Sequence, residues 1–274
     1  AASDVYKRQV LCCTPTEYRM MAKLSNLNDY HLEHLHSAVS AGEPLNREVV
    51  EQFKNNFNLT VRDGYGQTES TLLIGFLKDT EPRTGSMGKG IPGSFVTIID
   101  DDGNEVPPQT KGNIAVPLDL PALFKGYYKD EERTKAASAG DYYVTGDLAH
   151  KDEDGYFWFE GRRDDIIISS GYTIGPFEVE DALTNHPAVK ECAVVASPHE
   201  IRGNIVKAFI ILQNNYEGND ELVKELQTFC KNEVAPYKYP RAIEFVDDLP
   251  KTNSGKIRRV ELRDAEIAKY NNQD

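Results

Sequence analysis

Gly and Pro punctuate this chain in three different rhythms, and the two changes of rhythm, near Gly85 and near Asp164, limit its fold more than any other feature. Ahead of Gly85, Glu17–Leu24 reads as a helix with Tyr18, Met21, Ala22 and Leu24 on its apolar side. A strand-like Leu35–Ser40, the turn Ala41-Gly42-Glu43-Pro44, a helix over Arg47–Asn55 with Val49, Val50 and Phe53 inward, and a strand Leu59–Arg62 follow, which is an α/β order. From Gly85 the strands become short and close: Phe95–Asp100, Asn113–Val116 and Tyr156–Phe159, separated by Asp102-Gly103, Pro107-Pro108 and Asp154-Gly155. That spacing predicts a small β-barrel or sandwich lobe. After Arg163-Asp164 the pattern becomes α+β. Asp165–Ser169 is a strand, Pro176–Thr184 a helix opened by Pro, and Val189–Ala196 and Ile205–Leu212 are strands. Glu221–Asn232 is a helix with one apolar face, stopped by Pro236, and Ala242–Val246 is a last strand. The expected fold is therefore α/β and α+β: a partial α/β sheet plus a small β-barrel lobe, then a compact α+β domain. Residues 1–163 and 165–274 are the two domains, with a linker at Asp164. Residues Ala1–Gln9 carry no periodic pattern and read as an assembly scar.

Composition narrows the function classes. The 274 residues hold 31 basic and 44 acidic side chains, a formal charge of −13, which opposes a role in coating nucleic acid. No apolar run approaches a membrane span; strand-like stretches such as Ala208–Leu212 are short. Cys12, Cys13, Cys192 and Cys230 have no zinc-like spacing and read as reduced thiols, which fits a reducing compartment and a cytoplasmic location. His31, His34 and His36 lack a clean i, i+4 pair and no carboxylate–cysteine set accompanies them, so no metal site is assigned there.

Four segments offer chemistry, each with a plainer reading beside it. Asp63-Gly64-Tyr65-Gly66-Gln67-Thr68-Glu69 follows a strand. Its glycines let backbone amides approach a ligand, Tyr65 can stack on a base, Thr68 can bond phosphate and Glu69 can hold Mg²⁺, although such a loop is also an ordinary Gly turn. Tyr143-Val144-Thr145-Gly146-Asp147 sets an acid after a Gly turn, either to accept ribose hydroxyls or to cap a turn. Gly161-Arg162-Arg163-Asp164-Asp165, ahead of Ser169-Ser170-Gly171-Tyr172, is a functional strand approach or a solvated charge run. Leu249-Pro250-Lys251-Thr252-Asn253-Ser254-Gly255-Lys256 presents a lysine after a glycine, but lacks the first glycine of a phosphate-binding P-loop and has Ile257 where Ser or Thr belongs.

The order and separation of these segments resemble the adenylate-forming superfamily, and within it the medium-chain acyl-CoA synthetases. The resemblance runs from about Leu11 to Ile267. It rests on Thr14-Pro15-Thr16-Glu17-Tyr18-Arg19-Met20, Gly64–Glu69, Val144-Thr145-Gly146-Asp147, Ser170-Gly171-Tyr172, Ala235-Pro236-Tyr237-Lys238-Tyr239-Pro240-Arg241 and Pro250–Lys256. It implies an acid–thiol ligase that activates a medium- or branched short-chain fatty acid with ATP and Mg²⁺ through an acyl-adenylate, then transfers it to coenzyme A. By that resemblance Gly42, Glu43 and Pro44 with Asp63, Gly64, Tyr65, Gly66, Gln67 and Thr68 wall the adenine and α-phosphate pocket. Glu69 binds Mg²⁺, Asp147 the ribose and Arg162 the nucleotide, and Lys256 is the adenylation lysine. Ser170, Gly171, Tyr172, Arg202, Lys231, Tyr239, Pro240 and Arg241 match coenzyme A contacts, with solvated surface charge as the plainer reading of the cations. Asp164 is the hinge about which the C-terminal domain rotates between the two half-reactions. Gly66 stands where acetate-specific relatives carry a tryptophan that closes the acyl pocket, so a longer chain is expected to fit.

Two departures qualify the resemblance. Thr173 stands where the family has an arginine after Gly-Tyr, and threonine cannot supply its charge. The Ser/Thr/Gly/Lys phosphate loop expected far upstream of Ala41 is absent, and nothing in residues 1–40 replaces it. The chain reads as a C-terminal fragment, expected to be inactive or nearly so by itself. Two other functions stay open: an amino- or aryl-acid adenylating domain serving a carrier protein, and a non-catalytic nucleotide- or coenzyme-binding module.

Overall fold

The computed structural model describes residues 7–24, 26–252 and 255–272, so residues 1–6 of the unpatterned start and Asn253-Ser254 of the lysine loop lie outside the described residues. The chain divides into two compact units, Ala1–Phe159 and Glu160–Asp274.

The first unit begins with strand β1 (Val10–Cys13) and helix α1 (Pro15–Ala22). Thr14 caps that helix in a reciprocal box with Glu17, and Pro15 occupies the first turn, where no amide partner is lost. Strand β2 (Ser37–Ala41), helix α2 (Arg47–Phe57) and strand β3 (Val61–Gln67) follow, with β1, β2 and β3 parallel neighbours. Val49, Val50 and Phe53 of α2 and Tyr18 of α1 bury one face of these strands, and Tyr18 and Phe53 meet edge-on at 5.1 Å. Asn58 ends α2 in the left-handed conformation, as a helix C-terminus commonly requires.

Beyond β3 the sheet turns antiparallel. Strands β4 (Thr71–Gly75), β5 (Gly88–Gly90), β6 (Thr97–Ile99) and β7 (Gly112–Pro117) are followed by helix α3 (Glu131–Ala136), the two-residue β8 (Ser138–Ala139), β9 (Tyr142–Lys151) and β10 (Tyr156–Arg162). Their order in the sheet is β1-β2-β3-β4-β5-β10-β9-β7-β6, with β8 beside β9. The α/β part and the β lobe thus share one sheet. Its antiparallel end encloses Leu73, Ile74, Ile98, Ile114, Val116, Tyr143 and Phe157.

The second unit opens with the hairpin β11 (Ile167–Ser169) and β12 (Tyr172–Ile174), then helix α4 (Pro176–Thr184). A three-stranded sheet of β13 (Val189–His199), β14 (Gly203–Leu212) and β15 (Ala242–Phe245) is interrupted by helix α5 (Asp220–Glu233) and followed by helix α6 (Arg259–Asn271). Alternation along the strands sends Val194, Val206, Ala208 and Ile210 to one cluster with Val179, Leu183, Leu222 and Leu226. Ala193, Val195, Phe209 and Ile211 face the other side, with Leu249 and Leu262. The sheet is therefore covered by α4 and α5 on one face and by α6 on the other. Helix α6 falls outside the elements read from the sequence; its exposed Val260 and Ile267 blur the apolar stripe.

Polar anchors fix α6. Glu180 of α4 is 5% exposed; its carboxylate accepts from the Val194 amide at 2.8 Å and from Arg259 Nε and Nη2 at 2.9 and 2.6 Å. Burial opposes the Arg259 charge, but the Glu180 carboxylate outweighs it and raises the guanidinium pKa. On the opposite edge Lys207 joins Glu244 and Glu266 at 2.7 and 2.8 Å. Removing one partner of a buried pair strands the other, at a cost of about 3–5 kcal/mol. Glu180→Ala is therefore expected to lower the thermal midpoint of this unit by more than about 8 °C. A midpoint within about 2 °C of the parent in calorimetry would show that Glu180 does not anchor α6.

Candidate active site

The Gly-rich segment Asp63–Glu69 is read from sequence as a loop after a strand, but it is itself the strand: β3 continues through Gln67, and only Thr68 to Ser70 turn into β4. The hairpin carries a bulge, because Tyr65 pairs with Ile74 and Gly66 with Leu72. Gly66 is needed for that close approach. A Cβ placed there would lie 1.9 Å from the Thr71 carbonyl oxygen, so an indole at this position requires β4 to move. The space for a longer acid that the sequence suggested here is thus not an open slot beside Gly66. Thr68 is exposed at the hairpin tip.

Asp147 is likewise not behind a turn but inside β9. Asn113 pairs with Leu148 and Ala115 with Val144, so Thr145, Gly146 and Asp147 bulge opposite Ile114. Gly146 takes φ +79° and the Thr145 hydroxyl donates to the Ile114 carbonyl at 3.0 Å, which pins the bulge. The bulge aims Asp147 at β3. Its carboxylate is 7% exposed and one oxygen, Oδ2, accepts from Tyr65 Oη at 2.7 Å and Gln67 Nε2 at 2.8 Å, across 82 and 80 residues of sequence. Burial and the neighbouring Asp147 charge raise the Tyr65 phenol pKa, so Tyr65 stays a donor. The ring expected to stack on a base therefore has its hydroxyl engaged here.

Around this pair the sequence reading missed two tyrosines. Tyr143 Oη donates to Gln67 Oε1 at 3.2 Å, and Tyr127 Oη donates to Glu69 Oε1 at 3.0 Å. Phe124 packs edge-on against both rings, at 5.4 and 4.9 Å. The density of Tyr and Phe over Phe124–Tyr128 and Tyr142-Tyr143 was the available signal. Glu69 has Oε2 without a partner among the described residues, so a divalent cation is compatible with it.

Other expected residues take structural partners. Glu43 accepts from Arg19 Nη2 at 2.9 Å and from Thr16 at 3.0 Å, so its side chain ties the turn after β2 to α1, and the string Thr14–Met20 acts as that anchor. Gly42, at φ +104°, and Pro44 complete the turn. Asp63 accepts from its neighbour Gly64 at 2.9 Å; burial pushes its carboxyl up to about 7 against the Gly64 and Leu45 amides. The cavity lined by Leu45, Val61, Asp63, Phe76 and Ser86 measures about 20 Å³, room for a water and not for a nucleotide.

In the second unit, Lys256 is exposed and its ammonium has no partner among the described residues. Its loop is closed by Thr252 N to the Lys256 carbonyl at 2.8 Å, Lys256 N to Thr252 Oγ1 at 3.1 Å and Arg258 N to the Pro250 carbonyl at 2.8 Å. The hairpin turn Ser170-Gly171 has φ of +50° and +83°, the signature of a two-residue primed turn. Arg202 grips it twice: its guanidinium donates to Ser170 Oγ at 3.1 Å and its carbonyl accepts from Ser170 N at 3.1 Å. Tyr172 stacks on Tyr237 at 4.3 Å. Lys231 lies 4.0 Å over the Tyr239 ring, whose hydroxyl accepts from Arg241 at 3.0 Å, while Pro240 is buried. The expected coenzyme contacts thus form two groups, one around Ser170 and one around Tyr239. Arg162 is exposed, and Asp164 sits in the 3₁₀ turn Arg163–Asp165, whose Asp164 carbonyl and Asp165 carboxylate both accept from Arg263.

Comparison with known proteins shows what the chain is similar to. The AMP-binding enzyme profile matches residues 2–128, and the AMP-binding enzyme C-terminal domain profile matches residues 178–256. An uncharacterized acyl–CoA ligase, YtcI, of Bacillus subtilis is 66% identical over 95% of this chain and 49% of its own length. The mitochondrial acyl-coenzyme A synthetase ACSM3 of Rattus norvegicus is 49% identical over 93% of this chain and 44% of its own. Among solved structures, an anthranilate CoA ligase, AuaEII, in complex with anthranoyl-AMP aligns with a TM-score of 0.89 and 33% identity, over 98% of this chain and 51% of that one. The chain spans about half the length of the curated relatives it matches. With both profiles in order along one chain and acyl-CoA ligases among the proteins it is similar to, the protein belongs to the AMP-binding enzyme family.

Proposed function

We propose that this chain carries the ribose, metal and lysine parts of an ATP-dependent acid–thiol ligase acting on a medium- or branched short-chain fatty acid. The observation that carries the reading is the convergence of Tyr65 and Gln67 on the buried Asp147 carboxylate, from strands far apart in sequence. A buried carboxylate is costly unless donors surround it. Here two donors hold it beside the Thr68 and Glu69 turn, where a nucleotide's ribose and phosphates would find an acceptor, a hydroxyl and a metal-binding carboxylate.

The chemistry then follows in two steps. The substrate carboxylate oxygen attacks the α-phosphorus of ATP, pyrophosphate leaves, and an acyl-adenylate forms. The coenzyme A thiolate next attacks the acyl carbonyl carbon, and AMP leaves with the bonding electron pair. Glu69 Oε2 would hold Mg²⁺, which supplies charge neutralisation at the phosphates. Lys256 is exposed and has no partner among the described residues, so its ammonium is available to bridge the two anions that must meet in the first step. Gly171, with open space around its Cα, would let the pantetheine arm run close to backbone, and Lys231 and Arg241 would meet phosphates of the coenzyme. For Arg202, the double contact with Ser170 supports a role in shaping that turn. The anchoring of Asp164 and Asp165 by Arg263 supports a pivot at or just before Asp164, since residues beyond it are tied to α6. Gly66 keeps its assignment to the acyl pocket only as backbone, for the reason its contacts give.

The two half-reactions would be assayed in a protein that joins this chain to the part of its Bacillus subtilis relative that the chain does not match. In it, Lys256→Ala is expected to slow acyl-adenylate formation by about 10²–10³-fold, the effect of about 3–4 kcal/mol lost at one transition-state donor. Adenylation at the parent rate would remove Lys256 from the chemistry. Asp164→Pro should spare pyrophosphate exchange and depress thioester formation at least tenfold more; equal losses in both would speak against a pivot there.

A further inference from the structure

We propose that Gln67 is the positioning residue of the ribose-binding carboxylate, and that Tyr143 sets which way its amide points. This rests on the nucleotide reading of Asp147 given above. The amide of Gln67 is used at both ends. Nε2 donates to Asp147 Oδ2 at 2.8 Å and to the Thr145 carbonyl at 3.0 Å, while Oε1 accepts from Tyr143 Oη at 3.2 Å. Rotating the amide by half a turn would place Oε1 against a carboxylate and a carbonyl, two acceptors, so this orientation is enforced electrostatically. Tyr143 is 3% exposed and its ring is fixed by Phe124, which makes its hydroxyl a stationary reference. Gln67 also links the strand that carries Tyr65 to the bulge that carries Asp147.

The consequence concerns ribose. With Oδ2 taken by Tyr65 and Gln67, the carboxylate plane cannot swing, and ribose hydroxyls meet an acceptor whose direction is already set. Without the amide, Oδ2 loses the partner that fixes it from the Gln67 side, and the hold on the carboxylate direction weakens. Affinity that depends on the sugar hydroxyls should fall, whereas affinity that depends on base and phosphate should not. A residue that only stabilised the fold would weaken all nucleotides alike.

Calorimetric titration of this chain with AMP and with 2′,3′-dideoxy-AMP separates these cases. The parent is expected to prefer AMP by about tenfold or more, since hydrogen bonds to a charged acceptor are among the stronger ones. Gln67→Met keeps the length and removes the amide. It should reduce the preference to under about threefold while dideoxy-AMP binding stays within about twofold of the parent. Tyr143→Phe keeps the ring against Phe124 and removes only the hydroxyl; it should lower the preference at least threefold, and it serves if the methionine variant fails to fold. Variants that keep the parent preference overturn the role of Gln67 and leave the nucleotide reading standing. A parent that binds both nucleotides equally, or binds neither, overturns the ribose reading of Asp147 and this assignment with it.

Discussion

A buried carboxylate organises the first unit. Asp147 lies at a bulge in β9 and is reached from β3 by a phenol and an amide, so the two halves of the ten-stranded sheet are joined by side chains as well as by the strands between them. Desolvating such a group without donors would cost several kcal/mol, and the fold spends two hydrogen bonds on one of its oxygens. Much nearby structure serves that contact. The Gly146 bulge aims the carboxylate, the Thr145 hydroxyl pins the bulge, and the edge-on Tyr143–Phe124–Tyr127 cluster places the hydroxyls that hold Gln67 and Glu69.

The second unit solves a different problem: holding an exposed lysine on a short loop that is fixed at its base. The stabilising ion pairs sit to either side of that loop. Lys251 meets Glu191 at 2.7 Å, and Arg259, three residues beyond Lys256, meets the buried Glu180. The loop is thus clamped at its base, while the Lys256 ammonium has no partner among the described residues. The same logic applies to the Ser170-Gly171 turn, which is held from behind by Arg202 and leaves Gly171 with nothing within 4 Å of its would-be Cβ.

The sequence made the order of elements legible because Gly, Pro and apolar periodicity are local. Helix Pro176–Thr184 is found where its opening Pro and apolar spacing put it, and α5 differs from its expected bounds by one residue at each end. The strand character of Asp63–Gln67 and of Thr145–Asp147 was not legible, since glycines that usually mark turns here serve bulges, and a bulge is defined by the partner strand. The site residues named by motif were visible as types; their partners were not. That Glu43 serves Arg19, or that Arg202 serves Ser170, depends on contacts across 24 and 32 residues that no local pattern encodes. Tyr127, and the contact Tyr143 makes with Gln67, escaped notice for the same reason.

The fit of Gly66 against β4 has a bearing on how this scaffold can diversify. Because the added carbon would strike main chain and not a movable side group, bulk at this position is coupled to the path of a neighbouring strand. A larger residue placed there would be a two-strand event, with the hairpin re-registered before any new side chain could be seated. A relative that carries a larger side chain at the matching position must therefore also route its neighbouring strand differently, so that residue and strand path change together.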